Sequence, residues 1–323
     1  MSIVAEVKEG GLEAVRKWAV ELDGVEPQRA VAAADALPRD AILALADRVR
    51  RWHEVQRPPD VALEVEAGVR LERRWIPLET VGVYVPRGLI STLVMCVVPA
   101  QVAGVRRIFV CTPPERAGLV AAAAELLGVD DVWALGGPQA IGFLAYVERV
   151  DKIVGPGNAH VNEAKLEVSR DVAIDLPGGP SEVVVAGNGD ASVVEQELAA
   201  QREHGADAVC KAVETVDEAE LLAPEHLVLL GSAETEAPRV RNAGAVFVGP
   251  WSPVAAGDYA TGGNHVLPTG GWARSVGGLG LETFLKPVTI QQLTREGLAR
   301  VRPTVEALAA AEGMPAHAAA VRR

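Results

Sequence analysis

The sequence predicts an α/β fold: two similar, incomplete doubly wound domains, with a helical N-terminal region and a C-terminal helical tail. Three observations lead there. Short apolar runs of strand length alternate with helical stretches from residue 81 onward, the alternation restarts near residue 182, and residues 1–57 carry helical periodicity instead.

In LPRDAILALADRVRRWHEVQRPP, Ile42, Leu43, Leu45, Val49 and Trp52 recur at helical spacing, and Pro58-Pro59 stops the helix. His53 on this Arg-rich helix reads as a solvated or packing residue without a role. VGVYVP (81–86) is a strand, followed by a helix to about residue 103, the strand RIFVCTPP, the helix ERAGLVAAAAELLG, the strand DVWALGG, a helix from Pro138, and the strand KIVGPGN. The second series runs SEVVVAG, a helix over about 190–204, DAVCKAVET, HLVLL, a helix ending at Gly244, and AVFVG. Ser192 and Glu195 have the spacing of a capping box, and Gly205 is a natural helix stop. A Gly-rich loop (255–271) and a long helix (about 293–312) close the chain.

Composition excludes several classes. The hydrophobic share of 49% supports a well-buried core. A formal charge of −12 and a pI near 5.1 argue against nucleic acid or an anionic membrane as partner, while an anionic cofactor can still be held by backbone N–H groups at helix N-termini. Cys96, Cys111 and Cys210 are scattered through apolar runs, as thiols of a reducing cytoplasm are. No signal peptide is expected from the opening residues, and no apolar run reaches the ~18 residues of a membrane span. The expectation is a cytoplasmic protein.

The chemistry-bearing residues lie in the second half. In LLAPEHLVLL, Glu225 and His226 stand side by side after Pro224 and before a buried-strand pattern. In a regular strand they would point to opposite faces, so two residues serving one ligand must sit at the strand's mouth. In QREHG, Gln201 and His204 share one face of a helix's last turn, where the macrodipole favours a cation. GDYATGGNHVLPTGG sets Asp258 and His265 among five glycines and a proline, in a loop shaped to close over a ligand. Glu312 and His317 lie further on, in the C-terminal segment beside Gly313 and Pro315, which reads by itself as a frayed tail. Gln201, His204, Asp258 and His317 make a two-oxygen, two-nitrogen donor set that suits Zn²⁺ or a similar borderline ion. Spacing alone does not prove that they converge. Neither GGPQAIG nor GPGNAH satisfies G-x-G-x-x-G, so any nucleotide binds atypically, at the sheet's C-terminal edge.

Taken together and in order, VGVYVP, GGPQAIGFLAY, VDKIVGPGN, GPSEVVVAG, QREHG, APEHL, GDYATGGNHVLPT and AEGMPAH closely resemble the histidinol dehydrogenase family over nearly the whole chain. The resemblance implies zinc-dependent oxidation of L-histidinol to L-histidine through histidinaldehyde, with two successive hydride transfers to NAD. It implies Gln201, His204, Asp258 and His317 as zinc ligands that also bind substrate, Glu225 and His226 as the acid–base pair, and Ser181, His265 and Glu312 as further substrate contacts. Tyr84, Gln139 and Asn158 match nucleotide contacts. It further implies Rossmann-like domains divided as 1–83 with 181–280 (metal and catalysis) and 84–180 (nucleotide). Residues 281–323 would form a tail that reaches the partner's site in a homodimer.

The sequence also departs from the family's pattern. The chain begins late, Arg87 stands where glycine is usual, the loop after it is shorter, and the segment between LAYVER and VDKI is trimmed. Only 21 positions separate His204 from Glu225, where the family usually has roughly forty more, about one βαβ unit. The same residues could serve a paralogue acting on another amino alcohol or a diol. A catalytically retired metal- or ligand-binding homologue is the reading of another class, and loss of the metal set or of the Glu-His pair would mark it.

Overall fold

Val4, Val7, Val15 and Ala19 form the buried stripe of the first helix, α1 (Ile3–Asp23), which opens at Ser2 and stops at the left-handed Gly24. The structure is a computed structural model and describes residues 1–33 and 37–323. The helical reading of residues 1–57 at positions 34–36 lies outside the described residues. Between α1 and α2 (Arg39–Glu54) the chain forms a short strand, β1 (Gln28–Arg29), where helix was expected. β1 adds antiparallel to the edge of a sheet, an interaction that no local periodicity announces.

Two units are described, residues 1–57 with 78–284 and residues 58–77 with 285–323. The smaller one contains an element not read from the sequence. β2 (Val61–Glu66) and β3 (Val69–Pro77) form a hairpin, onto whose second strand β13 (Leu285–Leu293) later pairs antiparallel.

The larger unit holds the two predicted doubly wound sheets. The first is built from β4 (Thr80–Tyr84), α3 (Ile90–Ala103), β5 (Arg107–Thr112), α4 (Ala117–Leu126), β6 (Val132–Ala134), α5 (Gly137–Gly142), β7 (Lys152–Val154), α6 (Ala159–Val168) and β8 (Ala173–Ile174). Its order is β1-β6-β5-β4-β7-β8, parallel except for β1, so the winding reverses between β4 and β7. At that switch point Gly155 lies with φ 108°, and a Cβ there would stand 2.2 Å from the Tyr84 carbonyl oxygen. Only glycine lets the two loop backbones approach this closely.

The second sheet comprises β9 (Glu182–Gly187), α7 (Ala191–Arg202), β10 (Val209–Val213), α8 (Val216–Leu222), β11 (His226–Leu230), β12 (Ala245–Val248) and α9 (Val254–Tyr259). Its order is β10-β9-β11-β12, all parallel, with the switch between β9 and β11. Strand alternation divides its core. Val184, Ala186, Leu227 and Leu229 pack on α8, while Val183, Val185, Val228 and Leu230 pack on α7 and Val254.

Three local expectations differ. Residues 231–239 form a 3₁₀ stretch rather than a helix running to Gly244, because Pro238 cannot continue an α-helix. The cap of α7 is Asp190, whose carboxylate accepts from the Ser192 N–H, and Glu195 pairs with Arg202 instead of closing a capping box. The C-terminal segment is ordered. α10 (Arg295–Ala311) ends at Gly313, and α11 (Pro315–Ala320) carries His317, with Glu312 as the C-cap of α10. No helix of the described residues is long and apolar enough to cross a membrane.

Candidate active site

The pair at 225–226 sits at the mouth of β11. Ala223 is left-handed (φ 49°), Pro224 comes next, and regular pairing begins with His226 opposite Val183 of β9. Glu225 therefore stands one step before the ladder, opposite Glu182, and its own carbonyl accepts from Ala245 N at 2.9 Å. Both side chains are nearly sealed from solvent.

Their partners are specific. Oε2 of Glu225 accepts from Ser181 Oγ at 2.7 Å and from the Glu182 N–H at 2.8 Å. Gln201 Nε2 donates to Ser181 Oγ at 2.9 Å, so the last turn of α7 joins the same chain of bonds. His226 Nδ1 lies 3.0 Å from the Glu182 carbonyl, which can only accept. That bond places the proton on Nδ1 and leaves Nε2 with a free lone pair. Nε2 is buried without a hydrogen-bond partner, 3.8 Å from Asp258 Oδ1.

Asp258 and His265 complete the cluster. The predicted Gly-rich loop begins as helix α9, and Asp258 lies in its last turn; the glycines shape only the turns beyond it. His265 Nδ1 donates to the Asp258 carbonyl at 3.1 Å, and His265 Nε2 lies 3.2 Å from Thr92 Oγ1 in α3. Asn264 Nδ2 donates to the Met95 carbonyl at 2.7 Å, so the loop is tied to the first sheet's helix at two places. Glu197, one turn before Gln201, accepts the first N–H of α9 from Val254 at 3.1 Å and fixes α9 against α7.

Burial dominates the electrostatics. Desolvation pushes the Glu225 carboxyl up to about 7, against the hydrogen bonds from Ser181 and Glu182 that lower it. Desolvation also lowers the His226 imidazole, against the charge of Asp258. It raises Asp258, and it brings His265 down to about 4. Around neutral pH both imidazoles are therefore bases rather than cations, which suits proton abstraction and metal ligation.

The site lies at the amino ends of β9 and β11 and the carboxyl end of α7, so the negative end of that helix faces it. The amide Oε1 of Gln201 is buried and unpartnered. His204, in the turn after α7, is exposed and acts electrostatically on Asp258 and Glu225. One orphaned amide oxygen, one carboxylate and one imidazole within this unit fit three positions of an N/O metal set. Among the described residues, no three His, Cys, Asp or Glu side chains converge as a metal centre. Glu312 and His317 are exposed residues of the smaller unit.

The expected nucleotide contacts lie at the carboxyl edge of the first sheet. Tyr84 is buried at the end of β4, and its hydroxyl accepts from Gly137 N at 3.2 Å. Gln139 is buried in α5, with Nε2 bonded to Asp23 at 3.0 Å and Oε1 left without a partner. Asn158 caps α6, accepting from Val161 N. The loop between them is braced by an ion pair sealed from solvent. Lys165 pairs with Asp175 and donates to the Gly155 carbonyl at 2.8 Å, while Asp175 accepts from Gly155 N at 2.7 Å. Sequence reasoning missed Thr92, Glu182, Glu197, Asp23 and the Lys165–Asp175 pair. An acid inside the motif GPSE and a lysine among apolar neighbours were the available signals.

A doubly wound scaffold that buries an adjacent carboxylate–imidazole pair next to an unpartnered amide fits a class, α/β enzymes acting on a small polar ligand. Comparison with known proteins narrows it. A family model for histidinol dehydrogenase matches residues 1–219 and 208–323, the two stretches meeting between His204 and Glu225, where the sequence is shortened. The chain belongs to the histidinol dehydrogenase family. Histidinol dehydrogenase of Haloarcula marismortui is 40% identical over an alignment of 387 positions, gaps included, covering 99% of this chain and 92% of its own length. That of Methanosarcina barkeri is 37% identical, covering 99% and 90%. The crystal structure of histidinol dehydrogenase from Elizabethkingia anophelis superposes with a TM-score of 0.88 at 30% identity, covering 99% of this chain and 89% of that one. An acetylating aldehyde dehydrogenase from Geobacillus thermoglucosidasius, at 11% identity and a TM-score of 0.52 over 89% and 96% of the two chains, shares the fold alone.

Proposed function

We propose that this chain oxidises L-histidinol to L-histidine through histidinaldehyde, in two successive hydride transfers to NAD, closing histidine biosynthesis. The observation that carries this is the free, buried Nε2 of His226, with the Glu225 carboxyl 3.5 Å from the ring's Nδ1, in a member of this family. His226 takes the alcohol proton at Nε2 as hydride leaves carbon, because Nδ1 is already committed to the Glu182 carbonyl. Glu225 takes a proton from the water that adds to the aldehyde, and Ser181 holds its carboxylate in place. Ser181, His265 and Glu312 contact the substrate.

Gln201 Oε1, His204, Asp258 and His317 would hold zinc, and Tyr84, Gln139 and Asn158 would contact NAD at the first sheet's edge. Zinc held there would supply orientation of the substrate, and NAD would supply the hydride acceptor. The active form is a homodimer, in which Glu312 and His317 of a second copy complete each site. The exposed Val61, Leu63 and Val65 along β2 support this, since such an apolar row favours a partner surface.

The test is the purified chain, supplied with Zn²⁺ and NAD, against L-histidinol and a panel of other amino alcohols. Two NADH per histidine formed, with L-histidinol preferred, is the expected result. Turnover of another alcohol with none of L-histidinol would overturn the assignment.

A further inference from the structure

Glu182 makes four hydrogen bonds to three residues, Glu225 and His226 at the mouth of β11 and Gly270 in the loop beyond α9. Its N–H donates to Glu225 Oε2 at 2.8 Å, and its carbonyl accepts from His226 Nδ1 at 3.0 Å. Its carboxylate reaches back across the strands, where Oε2 accepts from the Glu225 N–H at 3.3 Å and Oε1 from the Gly270 N–H at 3.0 Å. Glu182 and Glu225 therefore cap each other reciprocally at the mouths of neighbouring parallel strands. Each supplies an oxygen to the other's backbone N–H, at a place where ladder bonding has not yet begun. Gly270 closes the loop that carries His265, and its φ of 61° holds that turn in the left-handed region.

We propose that Glu182 is a positioning residue for the reaction: its carboxylate locks the Gly270 end of the His265 loop to the strand mouth that presents Glu225. The inference rests on the reading of Glu225 and His226 as the acid–base pair and extends it to a residue that acts by holding others in place. The physical need is clear from the geometry. The side chains of Asn264 and His265 tie the loop to α3 and α9, and the carboxylate of Glu182 is what ties its Gly270 end to β9. A displacement near 1 Å in such a constellation can cost about 10²-fold in rate.

Two variants test it. Glu182→Ala removes both carboxylate bonds, whereas Glu182→Gln keeps one oxygen that can accept from Gly270 N. In the zinc-loaded protein, Glu182→Ala should lower kcat for L-histidinol about 10- to 100-fold, with KM for NAD and zinc content unchanged. Glu182→Gln should recover most of that loss. Amide hydrogen exchange provides a second readout that needs no turnover: Gly270 and its loop should exchange faster in Glu182→Ala and keep protection in Glu182→Gln. Unchanged Gly270 exchange in a folded Glu182→Ala would overturn the clamp, whatever the substrate. Faster exchange with kcat intact would overturn its role in catalysis. Equal damage from both variants would show that charge, and not the bond to Gly270, is what matters, and would sink the proposal.

Discussion

Nε2 of His226 and Oδ1 of Asp258 face each other across 3.8 Å, a gap too long for a hydrogen bond. The imidazole is thus oriented on its Nδ1 side and left open on the other. His226→Asn keeps an N–H able to reach the Glu182 carbonyl but removes the proposed base. NADH production from the alcohol should fall about 10²- to 10⁴-fold, with bound zinc near normal. Loss of zinc in that variant would make His226 a ligand instead.

Glu225→Gln retains an oxygen to accept from Ser181 and the Glu182 N–H, so the strand mouth should keep its shape. What disappears is the carboxylate proposed to activate water. Oxidation of supplied aldehyde should suffer more than that of the alcohol, measured as separate half-reactions. Equal loss in both would contradict the division of labour.

The proposed sharing of sites between two copies is open to a complementation experiment. Chains carrying His317→Ala and chains carrying Gln201→Ala should each be inactive alone. Mixed dimers should recover part of the activity, since one of their two sites receives an intact set. No recovery in verified heterodimers would mean that each chain supplies its own site.

The Lys165–Asp175 pair is almost wholly buried, and breaking such a pair leaves an uncompensated charge. Lys165→Met should cost about 3–5 kcal/mol of unfolding free energy, read by denaturant titration. A change below about 1 kcal/mol, the worth of an exposed pair, would show that water reaches Asp175.

His53 is fully buried, and its Nδ1 is tied to the Val49 carbonyl at 2.7 Å. Desolvation lowers its pKa below the ordinary 6.5. A depressed folded value means that the unfolded chain binds the proton first as pH falls. The stability His53 contributes is therefore present above about 6.5 and is lost as pH drops through the lower folded value. His53→Gln should flatten the decline in stability below pH 6.5 in denaturant melts. An unchanged slope would assign that decline to other groups.

Local chemistry was legible where a residue's neighbours in sequence decide its state. The strands and helices of both sheets could be read from apolar period and length, because burial selects the same pattern everywhere. The smaller unit's hairpin escaped, although Val61, Leu63 and Val65 alternate as a strand should, since its third strand comes more than two hundred residues later. β1 escaped for the same reason, as two residues become a strand only because an edge awaits them.

By itself the sequence determined the fold class, the family and the adjacency of Glu225 and His226, all of which are carried by order along the chain. The tertiary structure alone decided which nitrogen of His226 is free, that Glu225 is held near neutrality, and that Glu182, Thr92 and Glu197 belong to the site. Tautomer, desolvation and clamp depend on atoms from β9, α3, α7 and α9 meeting at one strand mouth, and such meetings are set by packing between segments far apart in the chain.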